Sequence, residues 1–318
     1  MAKTVYLHFG RGKTGTTYLQ AYLARNRARL RQFGIDYIPA DGRDGEAGHQ
    51  QFAKSFIDAL PRYMEEPRAP LAARQAVQAA VLASASEHIL ISSENFPLCK
   101  FEALRTFFTR LDNVAAVHVI FFVRSQDELA ESEYNQIVKL KGETCCFETY
   151  ATSRIEGCDY FEEATRLEAV FGAKHIQFGV FDAAARNIVP QFLDMLGIDY
   201  TEFETPNTEA ANDQFGNISL GYYALQAVRA LNAIAMIDRR AIDQAISSAL
   251  KGRDVPALMF DSDWGRRFRE TYAASNEAFS RRFLGRTMTD LGGRRYSDDE
   301  RDAIRQQIAG LNAQFKRG

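Results

Sequence analysis

The sequence predicts an α/β fold in which helices cover both faces of a parallel sheet and a mainly helical extension follows. Short β-branched or aromatic runs alternate with longer helical patterns as far as about Asn207. The run VAAVHVIFFV, residues 114–123, is apolar at almost every position, which is typical of a parallel strand buried on both faces. Beyond Asn207 the pattern is mainly helical. We therefore expect a three-layer arrangement with right-handed crossovers.

The elements follow one another in a regular order. Strands are predicted at residues 4–9, 35–39, 88–93, 114–123 and 175–181. Helices are predicted at residues 14–33, 49–63, 69–86, 102–111, 127–140, 159–171 and 184–196, with a looser segment at 141–157. The first helix has apolar residues three and four apart and ends at Gly34, a common helix stop. Since no linker or change of composition divides the chain, we expect one domain, residues 1–318, with an α/β core (1–206) and a helical extension (207–318).

Composition excludes several classes of function. The 39 basic and 41 acidic side chains give a net charge of -2, so there is no general attraction to nucleic acid or to an anionic membrane. The longest strongly apolar run has ten residues, too few to cross a bilayer, and the amino terminus lacks the apolar segment of a secretion signal. The four cysteines lack metal-finger spacing. We expect a soluble cytoplasmic protein with reduced thiols, no nucleic-acid partner and no integral membrane segment.

The stretch HFGRGKTGTTYLQ, residues 8–20, joins the first strand to the first helix and is suited to bind an anion. In open α/β sheets this turn is the usual ligand cradle, because its backbone N–H groups and the helix dipole both favour negative charge. Lys13 adds a full charge, and Thr14, Thr16 and Thr17 add hydroxyl donors. The loop is not a Walker A motif, because Gly12-Lys13-Thr14 would require a glycine where Leu7 stands. No candidate strand ends in a magnesium-binding aspartate either.

A second pattern accompanies this loop. FFVRSQDELAES places Arg124 at the end of the most apolar strand and Ser132 eight residues later. Together the two motifs resemble those of bacterial-type sulfotransferases that use 3'-phosphoadenosine 5'-phosphosulfate (PAPS), which have a P-loop-like α/β fold. The family's loop has the form P-K-S/T-G-T-T, and the resemblance extends over roughly residues 3–196. Two departures occur: Gly12 replaces the frequent proline, and R-S-Q-D-E replaces the usual R-N-P-x-D.

The resemblance implies specific roles. PAPS would be the sulfuryl donor and adenosine 3',5'-bisphosphate (PAP) the product, with no metal required. Lys13 would contact the oxygen that bridges phosphate and sulfate, and Arg124 with Ser132 would bind the 3'-phosphate. Tyr18 would either stack on the adenine or belong to the core. The loop residues expected to hold the 5'-phosphosulfate are Arg11, Gly12, Lys13, Thr14, Gly15, Thr16 and Thr17.

A general base must take the proton of the acceptor hydroxyl close to Lys13. Glu94 is the first candidate, because it follows the strand at residues 88–93 and some carbohydrate-directed members of the family use a glutamate. His49 is the second, because other members use a histidine. The acceptor would be a small molecule, a glycan or a lipid. An atypical P-loop kinase or NTPase, and a nucleotide-binding module without catalysis, are the alternatives.

Overall fold

The structure is a computed structural model that describes residues 2–39, 47–60, 64–154, 158–181, 188–203, 219–234, 246, 250, 254–292 and 295–315. The strands are β1 (Lys3–Phe9), β2 (Ile35–Tyr37), β3 (His88–Ser93), β4 (Val114–Val123) and β5 (Ile176–Val180). They form one sheet in the order β2-β3-β1-β4-β5, and every adjacent pair is parallel. The predicted fold class, a parallel sheet between helical layers, is confirmed.

Thirteen α-helices are described around and after this sheet. They are α1 (Thr16–Arg25), α2 (Arg27–Gln32), α3 (Gln50–Lys54), α4 (Pro70–Ala83), α5 (Phe101–Thr109), α6 (Gln126–Lys141), α7 (Phe147–Arg154), α8 (Tyr160–Phe171), α9 (Val189–Met195), α10 (Tyr222–Asn232), α11 (Ser262–Glu270), α12 (Ala273–Phe283) and α13 (Asp298–Phe315). Among the described residues after 203, all regular elements are helices, which agrees with the predicted helical extension.

The helical layers pack on opposite faces of the sheet because side chains alternate along each strand. Val5, Leu7 and Phe9 of β1 belong to one apolar cluster, with side chains of α4, α5, α6 and α8. The opposite face carries a second cluster, to which α1, α2 and α9 contribute. Burying each large apolar side chain in these clusters stabilises the fold by roughly 1.5–3 kcal/mol.

Three predicted elements differ from the observed ones. The first predicted helix is two helices that part at Asn26, whose side-chain amide donates to the carbonyl of Tyr22 and competes with the helical pattern. The segment predicted to be loose contains α7, which forms because Phe147 packs on Tyr134 and on Phe260, far away in sequence. The helix predicted at 49–63 is only the short α3.

Four expected boundaries fall outside the described residues. They are the end of the helix predicted at 49–63, the end of the looser segment 141–157, the start of the helix predicted at 184–196 and the division between core and extension near 207.

The extension packs on α6 and α8. The side-chain amides of Gln126 and Asn276 donate to each other at 2.7 and 3.2 Å, which joins α6 to α12. Asn135 receives the backbone N–H of Leu220 and donates to its carbonyl, which fixes the segment before α10. That the whole chain is one domain stays a prediction. No helix in the described part of the chain has the length and apolar character needed to span a membrane.

Candidate anion-binding site

A crevice is expected where neighbouring strands send their following helices to opposite faces of the sheet. The helix after β1, α1, packs in the second cluster, whereas α5 after β3 and α6 after β4 pack in the first. Since β1 lies between β3 and β4, three chain segments meet at its carboxyl end. They are the loop of residues 10–17, Glu94 after β3, and Arg124 after β4.

The loop has an unusual backbone conformation. Lys13 and Gly15 both adopt the left-handed region, with φ of 70° and 77°. Lys13 is the only non-glycine residue with positive φ among those that the structure describes, and such conformations persist at functional sites only where the surroundings impose them. Left-handed residues in a turn direct successive N–H groups into one concavity. Gly15 caps α1 without a side chain, so the first N–H groups of α1 face this concavity without a capping oxygen.

The threonine hydroxyls of the loop have two different roles. Thr14 is fully buried, and its hydroxyl donates to the carbonyl of Arg11 at 2.7 Å. The hydroxyl of Thr16 is also buried and lies 3.4 Å from both the Thr14 hydroxyl and the Arg11 carbonyl. These two residues therefore shape the loop from within. Thr17 instead donates to Oε1 of Glu94 at 3.3 Å, so it joins the loop to the segment after β3.

Lys13 and Glu94 influence each other's ionisation. Burial lowers the pKa of Lys13, the nearby Arg124 cation lowers it further, and Glu94 opposes both effects. Burial raises the pKa of Glu94, against the Thr17 hydrogen bond and the Lys13 charge. Within the described residues, Nζ of Lys13 has no hydrogen-bond or ion-pair partner. A cation able to meet an anion and a carboxylate able to accept a proton thus lie at one strand edge.

Arg124 is fixed directly to the loop. Its Nη1 donates to the carbonyl of Lys13 at 2.7 Å, and its Nη2 donates to Glu128 at 2.6 Å. The hydroxyl of Tyr160 donates to the Arg124 carbonyl at 2.7 Å, which holds the end of β4 in place. Nε of Arg124 is buried and has no partner among the described atoms. A buried N–H without a partner is costly, so this edge of the guanidinium is a place where a ligand oxygen would be stabilised.

Three predicted residues lie at the edge of this arrangement. Ser132 is partly exposed on α6, and within the described part of the chain its hydroxyl has no hydrogen bond. Tyr18 is half-buried against the second cluster, and its hydroxyl is buried without a partner in the described structure. Arg11 turns away to α8, where it pairs with Glu163 at 2.6 Å and lies over the ring of Tyr160.

His49 is fully buried beside β3. Its Nδ1 lies 3.3 Å from both the backbone nitrogen and the carbonyl oxygen of Ser92, and its ring meets Tyr37 edge-on. Burial lowers its pKa to about 4. The contacts described for His49 include neither Lys13 nor Glu94.

Several residues of the site were not found from the sequence. Glu128 follows Arg124 by four residues in chain order, a spacing that is itself a signal for an ion pair. Glu163 gives no such signal, because 152 residues separate it from Arg11. Below the loop, His8 and Gln20 both reach the hydroxyl of Ser92, at 2.8 and 3.1 Å. Burial lowers the pKa of His8 to about 3, so His8 serves this network as a neutral ring.

The chain is similar to several solved sulfotransferase structures. A sulfotransferase from Alicyclobacillus acidocaldarius is 17% identical over 76% of this chain and 99% of that one, with a TM-score of 0.43. A sulfotransferase domain from the curacin biosynthetic pathway is 13% identical over 80% of this chain and 99% of that one, with a TM-score of 0.35. Mouse sulfotransferase SULT7A1, complexed with PAP, is 13% identical over 85% of this chain and 88% of that one, with a TM-score of 0.35.

No family model and no curated protein sequence matches the chain.

Proposed function

We propose that the protein is a sulfotransferase that moves a sulfuryl group from PAPS to a hydroxyl of an acceptor. The observation that carries this proposal is the convergence of Lys13, Glu94 and Arg124 at the carboxyl end of β1. Arg124 binds the backbone of Lys13 itself, so the two sequence motifs meet in one place. Glu94 reaches the same loop through Thr17.

The residues present fit a nucleotide donor with two phosphate positions. The left-handed turn at Lys13 and Gly15, with the start of α1, would hold the 5'-phosphosulfate. Arg124, with its buried unpaired Nε, would hold the 3'-phosphate, and Ser132 would assist from α6. Arg11 is the loop residue that fits least, because Glu163 already binds its guanidinium.

Each of these residues would have a separate role in the transfer reaction. The donor, when bound, supplies the sulfuryl group, whose bond to the phosphate oxygen breaks as a bond to the acceptor oxygen forms. Lys13 would neutralise the negative charge that develops on the departing phosphate oxygen. Glu94 would take the acceptor's hydroxyl proton, for which its raised pKa is better suited than that of an exposed glutamate. His49 is the less suitable base, since it is buried and its pKa is lowered.

The acceptor is proposed only as a class, a hydroxyl-bearing small molecule, glycan or lipid. A panel of such hydroxyl compounds, incubated with labelled PAPS and wild-type protein, would identify it by label transfer.

Calorimetry with PAP and AMP tests the donor assignment. We expect the wild type to bind PAP at least about tenfold more tightly than AMP, since a charge-assisted phosphate contact contributes about 1.5–3 kcal/mol.

Lys13→Ala should abolish sulfuryl transfer. Lys100→Ala, which changes an exposed lysine paired with Asp58, should leave transfer unchanged. Equal affinity for PAP and AMP would contradict the proposal, and magnesium-dependent ATP turnover that survives Lys13→Ala would favour a different site altogether.

A further inference from the structure

A buried ion pair links Arg124 to the carboxyl-terminal helix. Glu128 on α6 accepts from Arg124 through Oε2 at 2.6 Å and from Arg301 on α13 through Oε1 at 2.9 Å. The Glu128 side chain is 6% exposed and that of Arg301 is 1% exposed. One carboxylate therefore lies between two guanidinium groups that are far apart in sequence.

Arg301 is itself held firmly. Its Nη1 lies 3.1 and 3.2 Å from the two carboxylate oxygens of Glu131, one turn along α6 from Glu128. Oε1 of Glu131 also accepts the backbone N–H groups of Met259 and Phe260. The neighbouring carboxylate of Asp127 is bound by a different arginine, Arg269. Arg301 is thus shared by Glu131 and by Glu128, where it is the second cation, whereas Asp127 is bound by another arginine.

The charges around Glu128 affect how strongly Arg124 can attract a phosphate. A lone Glu128 at 2.6 Å would offset the charge of Arg124 and would also repel a phosphate placed beside it. The effect would be strong, because buried charges are only weakly screened by solvent. Arg301, which Glu128 shares with Glu131, offsets part of this negative charge through the other oxygen of Glu128, so Glu128 can hold Arg124 against the loop and repels a nearby phosphate less.

We infer that Arg301 is a positioning residue of the donor site: it offsets the charge of Glu128, so that Arg124 stays fixed to the Lys13 carbonyl and still binds the 3'-phosphate. This inference rests on the proposed function. It assigns to α13, at the far end of the chain, a part in distinguishing a 3'-phosphorylated nucleotide from one without that phosphate.

The test compares PAP and AMP affinities in Arg301→Met and in a matched control, Arg305→Met. Arg305 lies one turn further along α13 and donates to the carbonyl of Leu258. We expect Arg301→Met to weaken PAP binding about tenfold or more, within the usual range of coupling between sites. AMP binding should stay within about twofold of the wild-type value, because AMP lacks the 3'-phosphate. The control should keep the wild-type ratio of the two affinities.

A second substitution, at Glu128, distinguishes the positioning role of Arg301 from a merely structural one, because it removes the charge that Arg301 offsets. In the double variant Arg301→Met/Glu128→Gln, we expect PAP affinity to recover part of the loss, because residue 128 no longer carries a charge although Glu131 still lacks Arg301. A structural role would lower PAP and AMP affinity together, and the second substitution would lower them further. If Arg301→Met does not fold, Arg301→Gln and Arg301→Lys make the same comparison, because both side chains can donate to Glu128 and only lysine keeps the charge.

The outcomes for the inference and for the proposed function are distinct. A wild type without preference for PAP over AMP overturns the proposed function, and the inference falls with it. A wild-type preference that Arg301→Met or Arg301→Gln retains overturns the inference alone.

Discussion

Burial shifts the pKa values of Lys13 and Glu94 in opposite directions. The pKa of Glu94 lies above the ordinary glutamate value of 4.5, and that of Lys13 lies below the ordinary lysine value of 10.5. In the proposed reaction Glu94 must be ionised to accept a proton, and Lys13 must be protonated to carry charge. The active form therefore exists only between the two shifted values.

The pH profile of kcat/KM for sulfuryl transfer tests this pair. We expect a bell-shaped curve whose acid limb lies above pH 4.5 and whose alkaline limb lies below pH 10.5, because this parameter reports ionisation in the free enzyme. Glu94→Gln should lower the plateau by about 10²–10⁴-fold, the usual contribution of a general base, and remove the acid limb. Glu102→Gln, at an exposed glutamate on α5, should keep the curve unchanged. An acid limb that persists in Glu94→Gln would show that another group is the base.

At the scale of elements, the junction of the loop and α1 depends on Gly15. Its φ of 77° is disfavoured for residues with a side chain, and an added Cβ would lie 3.3 Å from both Ile188 and Phe181. Gly12, three residues earlier, has no atom within 4 Å of an added Cβ. The two glycines therefore offer a comparison within one loop.

We expect Gly15→Ala to lower the free energy of unfolding by about 1–2 kcal/mol, the cost of a left-handed alanine, and Gly12→Ala to change it by less than about 0.5 kcal/mol. Urea denaturation measures both values. Because the N–H groups of the turn would move, PAP affinity should fall in Gly15→Ala only. Equal effects of the two substitutions would contradict the backbone conformation described for this turn.

The sequence predicted those elements whose signals are local. Apolar runs marked the strands, the rule that parallel strands end at one edge placed Glu94 near the loop of Lys13, and the resemblance added Arg124. What it missed depends on contacts between distant segments. Helix α7 forms through packing on α6 and α11, and the burial of His49 depends on its position beside β3. No local pattern can report such contacts.

The burial and pairing of charged side chains could not be predicted from the sequence either. The basic residues of the extension have the ordinary spacing of a solvated helix, yet Arg269 and Arg301 are buried among the carboxylates of α6. Their partners lie 142 and 170 residues away, so only the folded chain shows them. Because each buried cation meets a buried carboxylate, removal of one partner would leave an uncompensated charge.

At the scale of the whole molecule, two fully buried histidines link folding to pH. Burial lowers the pKa of His8 to about 3 and that of His49 to about 4, from an ordinary value of 6.5. Below pH 6.5 an unfolded chain takes up protons at both rings, whereas the folded chain does so only near pH 3 to 4. The unfolded state thus binds more protons in this interval, and acid favours it.

We expect the free energy of unfolding to fall as the pH drops below 6.5, by up to about 1.4 kcal/mol per pH unit for each of the two histidines. Urea titrations at several pH values between 4.5 and 6 would give the slope for the wild type and for His49→Gln. The variant should be less stable near pH 7, because it loses packing, yet its slope should be smaller by up to about 1.4 kcal/mol per pH unit, since glutamine does not titrate. Carboxylates contribute equally to both slopes and cancel in the difference. Equal slopes would mean that the pKa of His49 is the same in the folded and the unfolded chain. That result would restore His49 as a candidate for the general base.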